Sequence, residues 1–86
     1  MDGAVLTLDA NLDLRAAAPL REAFLERQGA DLVVDASHVE RIGGLCLQVL
    51  LSARETWRTE GLNLSVQHPS EELCGQLRLL GASDLC

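Results

Sequence analysis

The sequence contains no lysine, and its seven basic residues are arginines spread along the chain. A surface that binds nucleic acid needs grouped Lys or Arg side chains, because these displace the counterions of the phosphates. The formal net charge of −6 also disfavours such a surface. We therefore predict no nucleic-acid partner. The acidity is typical of a soluble protein, with a positively charged partner surface as the alternative interpretation.

Long apolar runs are also absent. No stretch approaches the roughly 20 apolar residues of a bilayer-spanning helix. Met1–Ala10 lacks the basic and long apolar parts of a secretory leader. The three cysteines cannot all pair within one chain, and Cys46 and Cys74 fall in apolar helical patterns, where thiols pack as small hydrophobic groups. These features predict a protein of the reducing cytoplasm that does not insert into membranes.

Side chains that could carry catalysis are few. His38 and His68 are far apart in the chain, and neither has the Cys/His spacing of a metal site. Cys46 falls at the start of a predicted helix, where the helix dipole can lower a thiol pKa, but no histidine accompanies it. We therefore predict no enzyme activity, no metal and no cofactor, and we expect Cys46 to be a buried structural thiol.

The 86 residues have room for one small domain, which we assign to residues 1–86. Apolar periodicity, turn residues and helix caps predict an α/β fold in the order ββαβαβα, with a roughly four-stranded, mostly parallel sheet packed against helices. The predicted strands are 4–8, Leu12, 31–35 and 62–67. The predicted helices are 14–28, with a loose first turn up to Ala18, then 45–59 and 71–80.

Three local patterns refine this fold. The continuous apolar run 31–35 predicts a central strand covered on both faces. The alternation in 62–67 predicts a half-exposed edge strand with Leu64 in the core. The segment Ala36–Ile42 is predicted as a connecting loop. The buried stripe of the last helix is predicted as Leu73, Leu77 and Leu80.

The segment Val33–Ile42 followed by an apolar helix resembles the STAS domain of anti-sigma factor antagonists. In that family an apolar strand precedes Asp-x-Ser-x-Val and then Asp-Ser-Ser-Gly-Leu-Gly-Val-Leu. This chain has Asp-Ala-Ser-His-Val in the first part, and its Leu47, Val49 and Leu50 match the helix. Asn11–Asp13 resembles an earlier family element, whose Asp lies near the phosphorylation loop. Later landmarks also match, so the resemblance covers essentially the whole chain and implies a STAS-like fold.

The departure from the family pattern lies in the turn before the helix. The family's Asp-Ser-Ser-Gly is replaced by Gly43-Gly44-Leu45-Cys46, so neither serine position carries a hydroxyl. In regulated members a partner kinase phosphorylates a serine there, and the added negative charge repels the partner. The resemblance therefore implies a turn without a phosphorylation site. The nearest hydroxyls, on Ser37 and Ser52, are not expected to replace it, because Ser37 should cap the loop and Ser52 should lie on the helix.

The resemblance implies a non-catalytic protein-binding module of bacterial signal transduction. Its partner would be an anti-sigma factor or another histidine-kinase-like ATPase protein. Short STAS proteins with a serine-free turn and a Leu-Gln pair, here Leu47-Gln48, are also similar to those of chemotaxis systems. The side chain of Leu45 is either part of the contact surface or buried. The predicted partner-binding residues are Asp13, Arg41, Gly43, Gly44, Leu45, Cys46 and Gln48, and the sequence leaves the oligomeric state open.

Two other interpretations stay open. Some STAS proteins are regulatory subunits that bind the ATPase of an ABC-type lipid transporter through the same helix and loop, although that branch usually keeps Ser or Thr at the turn. Alternatively, the N–H groups of Gly43-Gly44 could bind a small anion or a nucleotide. The glycines lack the Lys, Ser or Thr of a phosphate-binding loop, and such a pair more often permits a tight turn.

Overall fold

The structure is a computed structural model that describes residues 4–86, and all strand pairs within this range are parallel. The strands are β1 (Ala4–Thr7), β2 (Asn11–Leu12), β3 (Leu32–Asp35), β4 (Arg41–Ile42) and β5 (Leu64–Gln67). The helices are α1 (Ala17–Glu26), α2 (Gly44–Thr59) and α3 (Glu71–Leu79), with short 3₁₀ helices at Leu14–Ala16 and Ser83–Leu85. The first three residues of Met1–Ala10, where we expect no leader, lie outside the described residues.

The strands form two groups. β1, β3 and β5 make a three-stranded sheet with β3 in the centre, and β2 pairs with β4 in a separate two-stranded ribbon. The predicted α/β class and the parallel pairing are confirmed, but the strand count is not. Residues of β4 were expected in a connecting loop, because a two-residue strand is too short to show an apolar alternation.

Within residues 4–86, only one face of the three-stranded sheet is covered. On that face Val34 of β3 is fully buried between Leu6 and Val66. On the other face its neighbour Val33 is half-buried between the exposed residues Val5 and Ser65. The prediction of a central strand covered on both faces is therefore wrong. The chain places its helices against a single face, and the aliphatic run in β3 gave no sign of this.

The covered face and the three α-helices share one core. Trp57 of α2 is buried, donates its indole N–H to the backbone oxygen of Ala30 at 2.7 Å, and meets the Phe24 ring edge-on at 6.1 Å. The other buried side chains are small or aliphatic, as expected from a sequence with two aromatic residues. Leu64, predicted in the core, is only half-buried on the edge strand β5. Its packing against the core is partial because β5 is an edge strand of the sheet that the described residues form.

The entry into α1 follows the predicted loose turn. Asp13 caps the 3₁₀ helix Leu14–Ala16, and α1 begins at Ala17. Pro19 then lies in the first turn of α1, where the backbone N–H groups have no partner within the helix. A proline, which lacks an N–H, therefore removes no hydrogen bond at this position.

The C-terminal end of α3 differs from the prediction. The N–H of Ala82 bonds to the carbonyl of Leu77 at 2.8 Å, and the N–H of Gly81 bonds to that of Arg78 at 3.1 Å. This is a Schellman ending, and it places Gly81 at a φ of +77°. Leu80 is the C-cap residue of α3 and is 46 % exposed, so the prediction that Leu80 belongs to the buried stripe is wrong. The buried positions after the helix are taken by Ala82 and Leu85.

Candidate functional site

The turn that precedes α2 is held by the β2–β4 ribbon. Asn11 pairs with Arg41 and Leu12 pairs with Ile42 in parallel register. The N–H of Gly43 then bonds to the carbonyl of Leu12 at 2.9 Å. The ribbon therefore places the start of α2 directly beside the segment that follows β2.

Gly43 and Gly44 form the first part of the turn without needing to be glycines. Gly43 is the N-cap of α2 with φ −87° and ψ 167°, which is ordinary extended backbone. A Cβ at Gly43 would lie 3.5 Å from the carbonyl of Leu12, and one at Gly44 would meet nothing within 4 Å. The interpretation that the pair permits a tight turn is therefore wrong. Side chains would fit at both positions, and their absence leaves the N-terminus of α2 without a side-chain cap.

Cys46 lies beneath the turn and connects the start of α2 to the segment that follows β2. Its side chain is 0 % exposed, and its Sγ donates a hydrogen bond to the backbone oxygen of Asp13 at 3.2 Å. Burial, and secondarily the negative charge of Asp13, raises the pKa of the Cys46 thiol. The thiol thus stays protonated and inert, as expected for a structural cysteine. Cys46 was also predicted among the partner-binding residues, but a buried side chain supports the turn and does not line its surface.

Asp13 lies at the exposed side of the same turn. Its carboxylate accepts the backbone N–H of Arg15 at 3.0 Å, which caps the following 3₁₀ helix. The acidic side chain is therefore fixed by local bonding beside the start of α2. The resemblance to STAS domains had implied an Asp close to the turn, and the chain folds so that Asp13 and Cys46 are in contact.

Apolar side chains are exposed on both sides of this turn. Leu45 is 51 % exposed in the first turn of α2, and Leu14, directly after Asp13, is 75 % exposed. The interpretation that Leu45 is buried is therefore wrong, and its part in a contact surface stays a prediction. Leu14 was not predicted as a surface residue, because in the sequence it is one more leucine of a helical segment. Its exposure follows from the 3₁₀ turn, which separates it from the buried face of α1.

Two polar residues complete the surface. Gln48 is exposed one turn after Leu45 on α2, as the helical spacing requires. Arg41 is exposed on β4 and makes no salt bridge within residues 4–86. We call the exposed set the turn patch: Asp13, Leu14, Arg41, Gly43, Gly44, Leu45 and Gln48.

A groove of about 380 Å³ between α1 and α2 adjoins the turn patch. Gln48 and Val49 line it on α2, and Arg21 and Leu25 line it on α1. The sequence did not reveal this groove, because its shape depends on the angle at which α1 and α2 pack, which local sequence patterns do not determine. It extends the exposed surface of the turn patch along α2.

The serines nearest to this turn in the sequence are Ser37 and Ser52. Ser37 was expected to cap its loop, but Asp35 is the residue whose side chain accepts the hydrogen bond. The backbone N–H of Ser37 donates to the Asp35 carboxylate at 3.0 Å. This hydrogen bond lowers the pKa of the Asp35 carboxyl. Ser52 lies on α2, as predicted, two turns beyond Gly44. Within residues 4–86, no group of three or more His, Cys, Asp or Glu side chains could hold a metal ion.

A family model described as "Mlab, STAS domain" matches residues 1–86. No curated protein matches the chain. The chain therefore belongs to the STAS domain family. STAS domains are in general non-catalytic regulatory modules of the anti-sigma-factor-antagonist kind that mediate protein–protein contacts. None of the helices in the described part of the chain is both long and apolar enough to cross a membrane.

Proposed function

We propose that this chain is a cytoplasmic, non-catalytic protein-binding module of bacterial signal transduction and that the turn patch is its contact surface. The partner class is an anti-sigma factor or another histidine-kinase-like ATPase protein, in a sigma-factor or chemotaxis system. The observation that carries the proposal is the half-exposed Leu45 at the start of α2, at a position where the STAS sequence pattern has a serine.

The chemistry of the turn patch suits a protein partner. Exposed leucines gain free energy when a partner removes them from water, by about 25 cal/mol for each Å² of apolar surface. Leu14 and Leu45 supply such surface, while Arg41 and Gln48 can donate hydrogen bonds at its rim. The hydrogen bond between Cys46 and Asp13 holds the two leucine-bearing segments together, so binding orders little additional backbone.

We further propose that binding at the turn patch is constitutive. Gly44 and Leu45 stand where the family pattern has serines, and neither can accept a phosphate. A phosphoserine would add a charge of about −2 near the N-terminus of the helix and would repel an acidic partner surface. Without that hydroxyl, control of the interaction falls to the partner.

Site-specific photo-crosslinking tests the proposal and identifies the partner. A photoreactive amino acid replaces Leu45 in one variant and Leu79 in a matched control, and both variants are irradiated in bacterial cells. Leu79 is also exposed, at 86 %, but it lies at the end of α3. The 3₁₀ helix Ser83–Leu85, which follows α3, is held against the second half of α2 by the ion pair of Asp84 with Arg54. Ten residues of helix, about 15 Å, separate Arg54 from Gly44.

We expect one protein to be captured through position 45 and not through position 79. Mass spectrometry of the product then assigns the partner to its class. Capture of the same protein with equal yield through position 79, or no capture at position 45 by a folded sample, would contradict the proposal.

A second candidate function is a regulatory subunit of an ABC-type lipid transporter. The Mlab description of the matching family favours it, and the contact surface would be the same helix and turn. The crosslinked product separates the two candidates: an ATP-binding cassette subunit supports the transport role, and a histidine-kinase-like protein supports the signalling role. Co-purification of the unmodified chain with the captured ATPase provides the independent check.

A further inference from the structure

Two of the three cysteines lie side by side, away from the turn patch. The Sγ of Cys86 donates to the backbone oxygen of Cys74 at 3.5 Å. A hydrogen bond with the Cys74 thiol raises the pKa of the Cys86 thiol. Both side chains reach the surface to different degrees, since Cys74 is half-buried and Cys86 is exposed. Cys46 differs from both because it is buried.

The position of Cys86 is fixed by the residues before it. Leu85 is buried in the core, and the backbone N–H of Cys86 bonds to the carbonyl of Ser83 at 3.1 Å. Asp84 forms an ion pair with Arg54 at 2.6 Å, which attaches the 3₁₀ helix Ser83–Leu85 to α2. These contacts hold the Cys86 sulfur over the first half of α3, where Cys74 lies.

We propose that Cys74 and Cys86 are a redox-sensitive pair, which a small-molecule disulfide such as oxidised glutathione converts to an intramolecular disulfide. A disulfide needs the two sulfurs to approach to about 2.05 Å, and side-chain rotation at an exposed cysteine can supply the remaining movement. Disulfides in reducing compartments are usually transient and redox-sensing, and a surface pair in a regulatory domain fits that use.

The reaction is two successive thiol–disulfide exchanges. The Cys86 thiolate attacks one sulfur of oxidised glutathione, the glutathione S–S bond breaks, and the released thiolate takes up the proton that Cys86 lost. The Cys74 thiolate then attacks the Cys86 sulfur and expels the second glutathione thiolate, which takes up the proton from Cys74. Two protein thiols are oxidised and one glutathione disulfide is reduced to two thiols.

The new bond would tie the 3₁₀ helix Ser83–Leu85 to α3. Its closed loop runs from Cys74 to Cys86, and such a crosslink stabilises mainly by restricting the unfolded chain. The raised pKa of Cys86 slows its attack near neutral pH, because the thiolate is the reacting form. We therefore expect oxidation to accelerate as the pH rises.

Thiol counting in the intact chain tests the pair. The native protein is incubated with oxidised glutathione, quenched in acid, denatured, alkylated and weighed without reduction. We expect the wild type to fall from three alkylated thiols to one as a monomer that retains no glutathione. Thermal unfolding of the oxidised form should shift upward by roughly 10 °C and return on reduction.

Three variants serve as controls. Cys86→Ser should leave Cys74 reduced, and Cys74→Ser should stop at a mixed disulfide on Cys86. Cys46→Ala should still form the intramolecular bond. The proposal is overturned if the wild type retains glutathione on Cys86 at equilibrium, or if it forms dimers through Cys86 instead. Cys86 is exposed, so we expect the Cys86→Ser variant to fold. The comparison of the wild type with Cys86→Ser therefore tests the proposal even if Cys74→Ser is destabilised.

Discussion

The thiol of Cys46 lies 3.2 Å from the backbone oxygen of Asp13, and this hydrogen bond joins the first turn of α2 to the segment after β2. The two residues are far apart in sequence, so the bond is a tertiary contact at the base of the turn patch. It explains why a buried cysteine lies at a position where the family pattern has glycine. The thiol fills the space below the turn and supplies a donor for a backbone oxygen.

Replacement of Cys46 by alanine should therefore lower the free energy of unfolding by about 1–2 kcal/mol. The change removes one hydrogen bond and leaves a small cavity. Urea denaturation measures the loss. Cys86→Ala is the matched control, because an exposed cysteine should cost less than about 0.5 kcal/mol. Equal losses in the two variants would show that the contact between Cys46 and Asp13 contributes nothing to stability.

The same thiol predicts a loss of stability in alkali. Burial raises the pKa of Cys46 above its ordinary value of 9.0, so the unfolded chain releases the thiol proton before the folded one does. The contribution of Cys46 is fully present below the unfolded pKa and decreases as the pH rises above it. The sequence has no tyrosine and no lysine, so few other groups titrate in this range.

The measurement compares urea unfolding at pH 7 and at about pH 10, in a Cys86→Ser background that removes the other thiol with a raised pKa. Stability should fall less with pH when Cys46 is also replaced by alanine. If the free energy of unfolding fell equally with pH with and without Cys46, the claim that burial raises the pKa of Cys46 would be contradicted.

Leu32 and Leu64 face each other across the register of β3 and β5 and form a natural pair for a packing test. Leu32 is fully buried on the central strand, whereas Leu64 is half-buried on the edge. Leu32→Ala should cost about 2–4 kcal/mol because it leaves a closed cavity. Leu64→Ala should cost about half as much, since solvent can reach the space. Chemical denaturation measures both losses of unfolding free energy. A larger loss for Leu64→Ala than for Leu32→Ala would contradict the assignment of Leu32 to the core.

Two glycines of the last helical segment should respond in opposite directions to alanine. Gly75 lies inside α3, and a Cβ at this position would meet no neighbouring element within 4 Å, so Gly75→Ala should stabilise by about 0.5–1 kcal/mol. Gly81 has a φ of +77°, so Gly81→Ala should destabilise by about 1 kcal/mol. Thermal unfolding measures both changes. A loss of stability at Gly75 would indicate packing against that helix face.

Much of the fold was predictable because apolar periodicity and turn residues act locally. The helix α2 and the strand β3 were predicted to within one residue at each end. Features that depend on distant partners were not predictable. β4 exists only because Arg41 and Ile42 pair with β2. After α3, Ala82 and Leu85 are buried in the core, whereas Leu80 is exposed.

The candidate site likewise combines features that the sequence predicted with features that it did not predict. The position of the turn followed from the family pattern, and the burial of Cys46 followed from the apolar run around it. The exposure of Leu14 and the groove between α1 and α2 did not follow, because they depend on the 3₁₀ turn and on how the two helices pack. The backbone conformations of Gly43 and Gly44 did not follow from the sequence either, since glycine is compatible with either sign of φ.

The dissociation constant of the partner captured through position 45 tests the central claim most directly. It is measured for the wild type, for Leu45→Asp and Gly44→Asp, and for the controls Leu79→Asp and Gly44→Asn. The turn patch predicts that both charged turn variants weaken binding at least about tenfold, while both controls stay within about threefold. Far-UV circular dichroism should remain native, because an acidic residue suits the N-terminus of α2. Unchanged affinity for Leu45→Asp and Gly44→Asp would contradict the account and place the contact surface elsewhere.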